Sequence, residues 1–470
     1  MTTRITPGRT VVVVGDVVLD RDLQGHADRL CPDAPAPVVD VDAIRSGPGG
    51  AGLAAVLCAR HGARVTLIAP LADDPHGVEL RRLLAVEGID FIPLEHAGPT
   101  RCKTRIRSGG YSLTRFDEGG PGTPGALPPE AKECLRGADA VLVSDYGAGM
   151  TAQPELRAIL ERRRRDEPIL VWDPHPRGAA PVTGATLVTP NLAEARAALA
   201  ADISADRSAW DGARLAATLL RRWRATALCV TCGEQGAWLA TSAPEPYFAP
   251  APSTEASDPC GAGDSLSAAV TLALASGATP PEAVNHGVQE AARWVARGGT
   301  TGFRDRGWAP GSPGSPPTDG HRSGRPFAGT LVATGGCFDV LHAGHLASLE
   351  AARRLGDGLV VMLNSDSSVR RRKGPGRPVQ PVEDRARLLR ALSVVDDVIV
   401  FEEDDPREAL RRLRPDIWAK GGDYDANSLP EAEVVRSWGG RVVLLPYLNG
   451  RSTTSLLRRH QERNLHDTVS

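Results

Sequence analysis

The sequence predicts a protein of two α/β domains, each built on a mainly parallel sheet covered by helices. Apolar, β-branched runs alternate with Ala/Leu/Arg-rich helical stretches over most of the first 300 residues, a pattern typical of parallel sheets. The alternation stops at a stretch dense in Gly, Pro and Ser, and then resumes. We therefore predict a larger domain over 1–300, a flexible linker over 301–329 and a smaller Rossmann-like domain over 330–470.

The elements are placed by where the apolar runs begin and end. In the first domain the predicted strands are 11–14, 64–69, 140–144, 169–172 and 227–231, and the predicted helices are 52–61, 79–87, 213–223 and 267–275. In the second domain the predicted strands are 331–333, 359–364, 398–401, 417–419 and 442–446, and the predicted helices are 344–355, 382–391, 406–413 and 430–438. Five strand–helix units make a compact domain of ordinary size.

Composition and charge exclude several classes of function. Of 470 residues, 41% are hydrophobic and 24% are charged, and the formal net charge is −2, so no bulk charge favours nucleic acid or a membrane surface. No apolar run reaches the roughly 20 residues of a membrane helix. The early valine run is broken by Gly15 and Asp16, which excludes a signal-peptide core. We therefore expect a cytoplasmic protein without nucleic-acid or membrane partners.

The cysteines and lysines are informative in different ways. The eight cysteines show no regular spacing, so they do not predict a disulfide framework. Cys229 and Cys232 form a CxxC pair on a strand pattern, where residues three apart face opposite sides, so we interpret them as structural. Lys occurs only at positions 103, 132, 373 and 420, and Arg serves at every other basic position. A Lys in this chain therefore indicates a place that needs a compact ammonium group.

A phosphate-binding turn is predicted at residues 258–265, which read DPCGAGDS and lead into an apolar helix. Gly261 and Gly263 let the backbone turn so that successive N–H groups, Ala262 included, form a cradle for anionic oxygens at the helix start. Asp264 can take a proton from a hydroxyl while those N–H groups stabilise a transferring phosphoryl group. The alternative is a plain glycine turn with Asp264 as a helix cap.

Four more motifs occur in the order of the ribokinase family, and the DPCGAGDS segment closely resembles that family's anion hole and base. The motifs are GDVVLD at 15–20, GPGGA at 47–51, TPNLAE at 189–194 and VTCGEQG at 230–236. The resemblance implies sugar binding by Asp16, Asp20, Gly49 and Gly50, magnesium and phosphate handling by Asn191, Leu192, Ala193 and Glu194, and ATP binding by Thr231, Gly233, Gly236, Gly261, Ala262 and Gly263. It implies ATP as substrate with Mg²⁺, and no metal held by the protein alone.

A closer resemblance narrows the family. Residues 20–38 read DRDLQGHADRLCPDAPAPV and residues 144–146 read SDY, and both look like the heptose 7-phosphate kinase branch. Lys103 lies in TRCKTR, which matches that branch's Lys/Arg segment and is suited to holding a sugar phosphate. Three departures leave the sugar open: Cys260 replaces a usual Thr, Leu53 a common Asn, and His175 a usual Lys.

The second domain carries its strongest motif at residues 334–345, which read TGGCFDVLHAGH. The motif follows a strand and opens a helix, so His342, His345 and the backbone N–H groups converge on one anion site. Two imidazoles there suit the charge that builds on an α-phosphate under attack. Zinc binding and a pair of structural histidines are the alternatives, and we expect no zinc because no Cys or carboxylate is placed in the sequence to complete a site with the two histidines.

This motif resembles the cytidylyltransferase-like nucleotidyltransferases, and the rest of the domain agrees with it. A basic run ending in Lys373 resembles the family's phosphate-gripping loop, and KGGDY at 420–424 and STT at 452–454 complete the set. The resemblance implies catalysis by His342 and His345, and nucleotide or phosphate binding by Phe338, Asp339, Lys373, Lys420, Ser452 and Thr453.

Both domains in this order resemble the bifunctional heptose 7-phosphate kinase / heptose 1-phosphate adenylyltransferase family. The resemblance implies ATP-dependent phosphorylation of heptose 7-phosphate at C1, and adenylyl transfer from ATP to heptose 1-phosphate with release of pyrophosphate. It also implies a homodimer, since ribokinase-like domains often pair through a small β lid. Two alternatives stay open: the same reactions on another sugar phosphate or with another nucleoside triphosphate, and a non-catalytic sugar-binding first domain.

Overall fold

The computed structural model describes residues 5–34, 36–108, 111–120, 122–163, 168–200, 211–252, 258–306, 329–421 and 429–446. The chain divides into two compact units, residues 2–237 with 251–314 and residues 238–250 with 315–470. Residues 238–250, which the sequence placed in the first domain, group with the second unit. The exact domain boundaries stay a prediction. Among the described residues, no helix combines the length and apolar character needed to cross a bilayer.

The first part of the chain alternates strands and helices as predicted, with additional strands. The strands are β1 (Thr10–Gly15), β2 (Val17–Leu30), β3 (Pro37–Gly50), β4 (Arg64–Pro70), β5 (Asp90–Leu94), β6 (His96–Ala97), β7 (Cys102–Ser108), β8 (Tyr111–Glu118), β9 (Thr123–Pro124), β10 (Ala140–Ser144), β11 (Ile169–Asp173), β12 (Leu187–Val188), β13 (Leu228–Thr231), β14 (Gly236–Ala240) and β15 (Tyr247–Pro250). The helices are α1 (Ala51–Arg60), α2 (Pro75–Val86), α3 (Pro129–Gly137), α4 (Pro154–Glu161), α5 (Leu192–Ala198), α6 (Gly212–Trp223), α7 (Ala262–Ala275), α8 (Pro280–Ala296) and α9 (Gly299–Arg306).

A parallel sheet forms the core of the first unit, with strands in the order β13-β12-β11-β10-β1-β4-β5. The valines of β1 are completely buried because helices cover the sheet. Helix α7 packs against β10 and β11 and is buried from Asp264 to Ala275. The predicted parallel architecture is confirmed. The carboxyl ends of β1, β10 and β11 therefore meet at one edge, beside the start of α7.

A second, four-stranded sheet was not predicted, and its order is β3-β2-β7-β8. Strand β2 pairs with β3 in antiparallel fashion and with β7 in parallel fashion, which sets Lys103 opposite Asp20. Because side chains alternate along a strand, Asp20 and Asp22 share a face with Lys103 and Arg105. This sheet thus adds a charged surface that the sequence pattern of the main sheet does not contain.

The second unit holds another parallel sheet, in the order β18-β17-β16-β19-β20. Its elements are β16 (Leu331–Gly336), α10 (Ala343–Arg353), β17 (Gly358–Asn364), α11 (Asp366–Lys373), α12 (Val382–Arg390), β18 (Asp397–Phe401), α13 (Arg407–Leu413), β19 (Ile417–Gly421), α14 (Pro430–Arg436) and β20 (Arg441–Leu445). Its core centres on Met362, Phe401 and Trp418. The Rossmann-like fold of the second domain is confirmed.

The structure differs from the sequence pattern at two places. The predicted flexible linker begins inside helix α9, whose Phe303 is buried against Trp294, with ring centroids 5.4 Å apart. Residues 307–328 lie outside the described residues. The basic run before Lys373, interpreted as a loop, forms helix α11, because Ser365 caps its start by accepting a hydrogen bond from the backbone N–H of Ser368.

Candidate active sites

The predicted base of the first site lies in the first turn of α7. Gly261 precedes the helix with a φ of 81°, and a Cβ there would lie 3.0 Å from Leu53 and 3.1 Å from Trp294, so the turn requires glycine. Asp264 is 5% exposed, and burial raises the pKa of its carboxyl to about 7. A carboxyl with that pKa can accept a proton from a hydroxyl near neutral pH.

Tyr146 contacts this carboxylate, although sequence reasoning noted it only as part of the SDY string. Its hydroxyl lies 2.8 Å from Oδ1 and 2.9 Å from Oδ2 of Asp264. The two residues are 118 positions apart and meet because Tyr146 follows β10, which packs against α7. Burial and the adjacent Asp264 hold the pKa of the Tyr146 phenol well above its usual value, so the hydroxyl donates and the carboxylate accepts.

Asp16, a predicted sugar ligand, lies beside the turn that follows β10. It is 1% exposed, and its carboxylate accepts hydrogen bonds from the backbone N–H groups of Tyr146 at 3.1 Å, Ala148 at 2.9 Å and Met150 at 3.1 Å. Both of its oxygens are therefore used to shape the turn after β10. Asp16 therefore supports that turn, and its role as a sugar ligand stays a prediction.

Asp20 lies in a buried network of charges on the four-stranded sheet. Its oxygens lie 3.6 Å from Arg105 and 3.4 Å from Arg304, and the side chain of Arg304 is 5% exposed. Arg304 also pairs with Asp22 at 2.5 Å. Sequence reasoning missed Arg304 because it lies in the segment interpreted as a linker. The cluster supplies the cations that an anionic sugar would need.

Lys103 and the two predicted glycines lie beside this network. The Lys103 ammonium is 5.0 Å from the ring centroid of Tyr146, and burial lowers the pKa of Lys103. A Cβ on Gly49 would lie 2.6 Å from the Asp20 carboxylate, and one on Gly50, at a φ of 60°, would lie 2.5 Å from a backbone oxygen. The glycines therefore let the backbone approach the site closely, as the motif predicted.

The predicted ATP-binding turns lie next to each other. Asn191 and Glu194 form a capping box at the start of α5, with the Asn191 N–H donating to Glu194 Oε2 at 2.8 Å. Asn191 also forms a parallel bridge with Thr231 at the end of β13. Gly233 and Gly236 follow with positive φ values of 60° and 120°. The turn at Asn191 and the turn after β13 are thus joined through the Asn191–Thr231 bridge, and their binding of ATP stays a prediction.

Leu192 and Ala193 belong to the first turn of α5, so the structure places them beside their motif partners. The departures from the family pattern are partly explained. Cys260 accepts a hydrogen bond from Arg105 at 3.3 Å, and Leu53 packs at the Gly261 turn. His175 accepts a backbone hydrogen bond from Arg177 at 3.2 Å. Cys260 is therefore linked to the cation cluster rather than isolated.

In the second unit, the structure brings the two motif histidines together at the start of α10. His342 caps the helix, because its Nδ1 accepts hydrogen bonds from the backbone N–H groups of Gly344 at 3.1 Å and His345 at 3.3 Å. That network assigns the ring proton to Nε2, which can donate to a phosphate. The two rings stack with centroids 3.8 Å apart. Burial, then His342 and Lys373, lower the pKa of His345 to about 4, so its ring is neutral at pH 7.

Of the predicted nucleotide-binding residues, some lie in the described part of the chain and two lie outside it. Lys373, at the end of α11, lies 2.9 Å from Cys337 in the motif turn, and Lys420, at the end of β19, lies 3.5 Å from Glu431. Phe338 is buried against His345, with centroids 5.2 Å apart. Ser452 and Thr453 lie outside the described residues.

Asp339, a predicted nucleotide ligand, supports the motif turn. It is fully buried and accepts hydrogen bonds from Arg377 at 2.6 Å and from the backbone N–H groups of Val379 at 2.9 Å and Gln380 at 3.2 Å. Its role as a nucleotide ligand stays a prediction. The buried Arg385 also supports the turn, a role that was missed, since it donates to the Cys337 carbonyl at 2.6 Å.

Comparison with known proteins agrees with this architecture. Residues 9–305 match the model of the pfkB family carbohydrate kinases, and residues 333–446 match the Cytidylyltransferase-like model. The chain is 50% identical over 456 residues to the bifunctional protein HldE of Streptomyces coelicolor, with 96% of each chain covered. It is 35% identical over 473 residues to the bifunctional protein HldE of Caulobacter vibrioides, with 97% of this chain and 98% of that one covered.

Two solved structures share the kinase fold. The phosphofructokinase-2 of Escherichia coli in complex with potassium is 21% identical, with a TM-score of 0.51, and the alignment covers 62% of this chain and 94% of that chain. The tetrameric inhibited form of the same enzyme is 21% identical, with a TM-score of 0.50 and coverage of 63% and 96%. At these identities the likeness concerns the fold alone.

Proposed function

Because the chain belongs to the family of bifunctional HldE proteins, we propose that its two sites, centred on Asp264 and on His342, catalyse the two transfers of that family. The protein is a bifunctional enzyme that joins a sugar kinase to a nucleotidyltransferase, and ATP is its substrate. Heptose 7-phosphate is phosphorylated at C1. The product is the 1,7-bisphosphate, from which a separate phosphatase must remove the 7-phosphate. The resulting heptose 1-phosphate receives the adenylyl group of ATP, giving ADP-heptose and pyrophosphate.

In the kinase reaction, the C1 hydroxyl oxygen attacks the γ-phosphorus of ATP, the bond to the β-phosphate oxygen breaks, and ADP leaves. Asp264 takes the hydroxyl proton as the new O–P bond forms. The backbone N–H groups of Gly261, Ala262 and Gly263 lie at the start of α7, where partial positive charge stabilises the transferring phosphoryl group. Asp20, Lys103 and its neighbouring arginines hold the phosphorylated sugar. The buried Asp264 at a glycine-led helix start is the observation that carries this assignment.

Magnesium accompanies ATP in this proposal. The chemistry of Glu194 fits, because carboxylate oxygens are the ligands that Mg²⁺ prefers. Its Oε2 accepts a hydrogen bond from the Asn191 N–H at 2.8 Å, which holds the carboxylate at the start of α5. Bound Mg²⁺ would offset phosphate charge. Glu194 would hold the ion beside the two nucleotide turns.

In the adenylyl transfer, a phosphate oxygen of heptose 1-phosphate attacks the α-phosphorus of ATP, the bond to the bridging oxygen breaks, and pyrophosphate leaves. His342 donates from Nε2 to the α-phosphate, with the neutral His345 stacked beside it. Lys373 and Lys420 balance the charge of the triphosphate. Asp339 and Arg385 hold the turn that places the histidines. Ser452 and Thr453 stay predicted nucleotide ligands.

One experiment tests the substrate assignment. Heptose 1-phosphate is supplied to the purified full-length protein with ATP, GTP, CTP or UTP, and each product is identified by mass. We expect ADP-heptose as the dominant product. A dominant product that carries another base would show that the assigned nucleotide is wrong. If heptose 1-phosphate gives no product and another sugar 1-phosphate, supplied in parallel, reacts, the assigned sugar is wrong. In both cases the protein would still be a nucleotidyltransferase. A homodimer paired through the four-stranded sheet and a cytoplasmic location are further proposals.

A further inference from the structure

The contact between Tyr146 and Asp264 has no role in the mechanism described so far. The Tyr146 hydroxyl lies almost equally far from both carboxylate oxygens, at 2.8 and 2.9 Å. A phenol carries one proton, so it can satisfy one hydrogen bond at a time. The Asp264 carboxylate therefore keeps lone pairs available for a substrate hydroxyl while its orientation is fixed.

The surroundings explain why such a donor matters. Asp264 is buried, and the nearby Asp20 carboxyl also disfavours its ionised form. Burial further raises the pKa of Asp173 well above its usual value. The Tyr146 hydroxyl and the Lys103 ammonium act in the opposite direction, because each stabilises a negative Asp264. The balance of these groups holds the pKa of Asp264 near 7 rather than higher.

Tyr146 is itself held by a built frame. Its backbone N–H donates to Asp16 at 3.1 Å, and its carbonyl accepts from Arg101 at 3.1 Å. The Tyr146 ring is packed closely, because a Cβ on Gly50 would lie 3.3 Å from it. The Lys103 ammonium lies 5.0 Å from the centroid of the same ring. The hydroxyl is thus aimed at Asp264 from a turn that the buried Asp16 fixes.

We propose that Tyr146 is a positioning residue of the kinase reaction, whose hydroxyl orients the Asp264 carboxylate and stabilises its negative charge. The proposal rests on the proposed role of Asp264 as the base. Tyr146 does not replace that base, because burial and the adjacent carboxylate hold the pKa of its phenol well above the usual value. It acts as a fixed donor, and the C1 hydroxyl of the sugar approaches the oxygen that Tyr146 leaves available.

The test is the pH dependence of kinase kcat/KM in Tyr146→Phe, measured as ADP release from heptose 7-phosphate with the full-length protein. The variant loses a hydrogen bond to a charged carboxylate. The pKa that limits kcat/KM on the acid side of the profile, here called the acid limb, should therefore rise by about one to two pH units. Activity at pH 7 then falls roughly five- to fiftyfold, and the deficit shrinks steadily toward pH 9.5. Tyr247→Phe, which removes a tyrosine hydroxyl elsewhere, should match the parent. Adenylyl transfer by the same sample reports whether the second domain is folded.

A second variant separates orientation from mere packing. Incorporation of 3-fluorotyrosine at position 146 keeps the ring and makes the phenol a stronger donor, so the acid limb should move to lower pH. A loss in Tyr146→Phe that is equal at every pH, or an unchanged profile, would overturn the proposal. The fluorinated protein decides the matter if Tyr146→Phe fails to fold, because an acid limb that does not move down contradicts the proposal.

Asp264→Asn distinguishes the two levels of the argument. If Asp264→Asn keeps kinase activity, the assignment of the base is wrong, and the proposed role of Tyr146 goes with it. If Asp264→Asn is inactive and Tyr146→Phe follows the parent at every pH, the base stands and Tyr146 is only a packing residue.

Discussion

Each of the two sites has a buried titratable group at the start of a helix. Burial shifts the pKa values of these two groups in opposite directions. In the kinase site, burial raises the pKa of Asp264 to about 7. In the nucleotidyltransferase site, burial lowers the pKa of His345 to about 4. Burial disfavours the charged form in both cases, so the first group becomes a usable base and the second a neutral ring.

The difference follows from the nucleophile in each reaction. A sugar hydroxyl carries a proton that must leave as the O–P bond forms, so the kinase site needs a base. A sugar phosphate is already an anion, since the second pKa of a phosphate ester is near 6. The second site therefore needs donors and cations around the α-phosphate, and we propose His342, Lys373 and Lys420 for that role. The comparison teaches that the reacting oxygen determines which residue type each helix start presents.

The largest expected effect tests the base. Asp264→Asn should lower kinase kcat by roughly 10²- to 10⁴-fold, because an amide cannot accept the proton. ATP binding and adenylyl transfer should stay at parental values in the same sample. Asp73→Asn, which changes an exposed carboxylate to an amide, is the matched control. Kinase turnover within a few-fold of the parent would remove Asp264 from its role and end the contrast between the sites.

The next effect concerns His342 and separates its two tasks. His342→Asn keeps a side chain that caps helices well but loses the Nε2 donor. Adenylyl transfer should fall by roughly 10²- to 10³-fold, as it does when one transition-state donor is removed, while kinase activity is unchanged. Pyrophosphate release measures the first activity and ADP release from heptose 7-phosphate the second. Normal adenylyl transfer in His342→Asn would mean that the imidazole serves only as a cap.

A smaller effect is expected for the lysines. Lys373→Arg and Lys420→Arg should each lower adenylyl transfer roughly tenfold, because a planar guanidinium cannot replace a compact ammonium in a narrow phosphate site. Lys132→Arg is the control, since Lys132 forms an ion pair with Glu155 on the outside of the first unit. Lys132→Arg should change the free energy of unfolding by no more than about 0.5 kcal/mol and leave adenylyl transfer at the parental rate. If Lys373→Arg and Lys420→Arg release pyrophosphate at the same rate as the parent and Lys132→Arg, the two motif lysines do not contribute to adenylyl transfer.

The parallel sheets and helix starts were predictable from the sequence for physical reasons. Strands such as β1 and β17 are buried on both faces, so they are continuous apolar runs in the sequence. The turn before α7 was predictable because glycine spacing, helix start and carboxylate lie within a few residues of one another. The same holds for the turn that places His342. The turn at the centre of each candidate site could therefore be predicted from a short local motif.

What the sequence did not reveal depends on contacts between distant residues. Strand β2 is rich in charged residues that pair with Arg105 and Arg304, so its pattern does not resemble a buried strand. Tyr146 and Asp264 meet only through the packing of β10 against α7. Arg304 lies in a Gly-rich segment that composition assigned to a linker. Asp16 and Asp339 belong to motifs, but only the structure shows their oxygens occupied by backbone N–H groups.

The most direct test of the contrast is to record both activities of one preparation between pH 5.5 and 9. Asp264 accepts a proton only when ionised, so kinase kcat/KM should fall about tenfold per pH unit below its pKa of about 7. Adenylyl transfer should hold its rate down to about pH 6, where its phosphate nucleophile gains a proton. Two profiles of the same shape, or a kinase profile that is flat down to pH 5.5, would contradict the account.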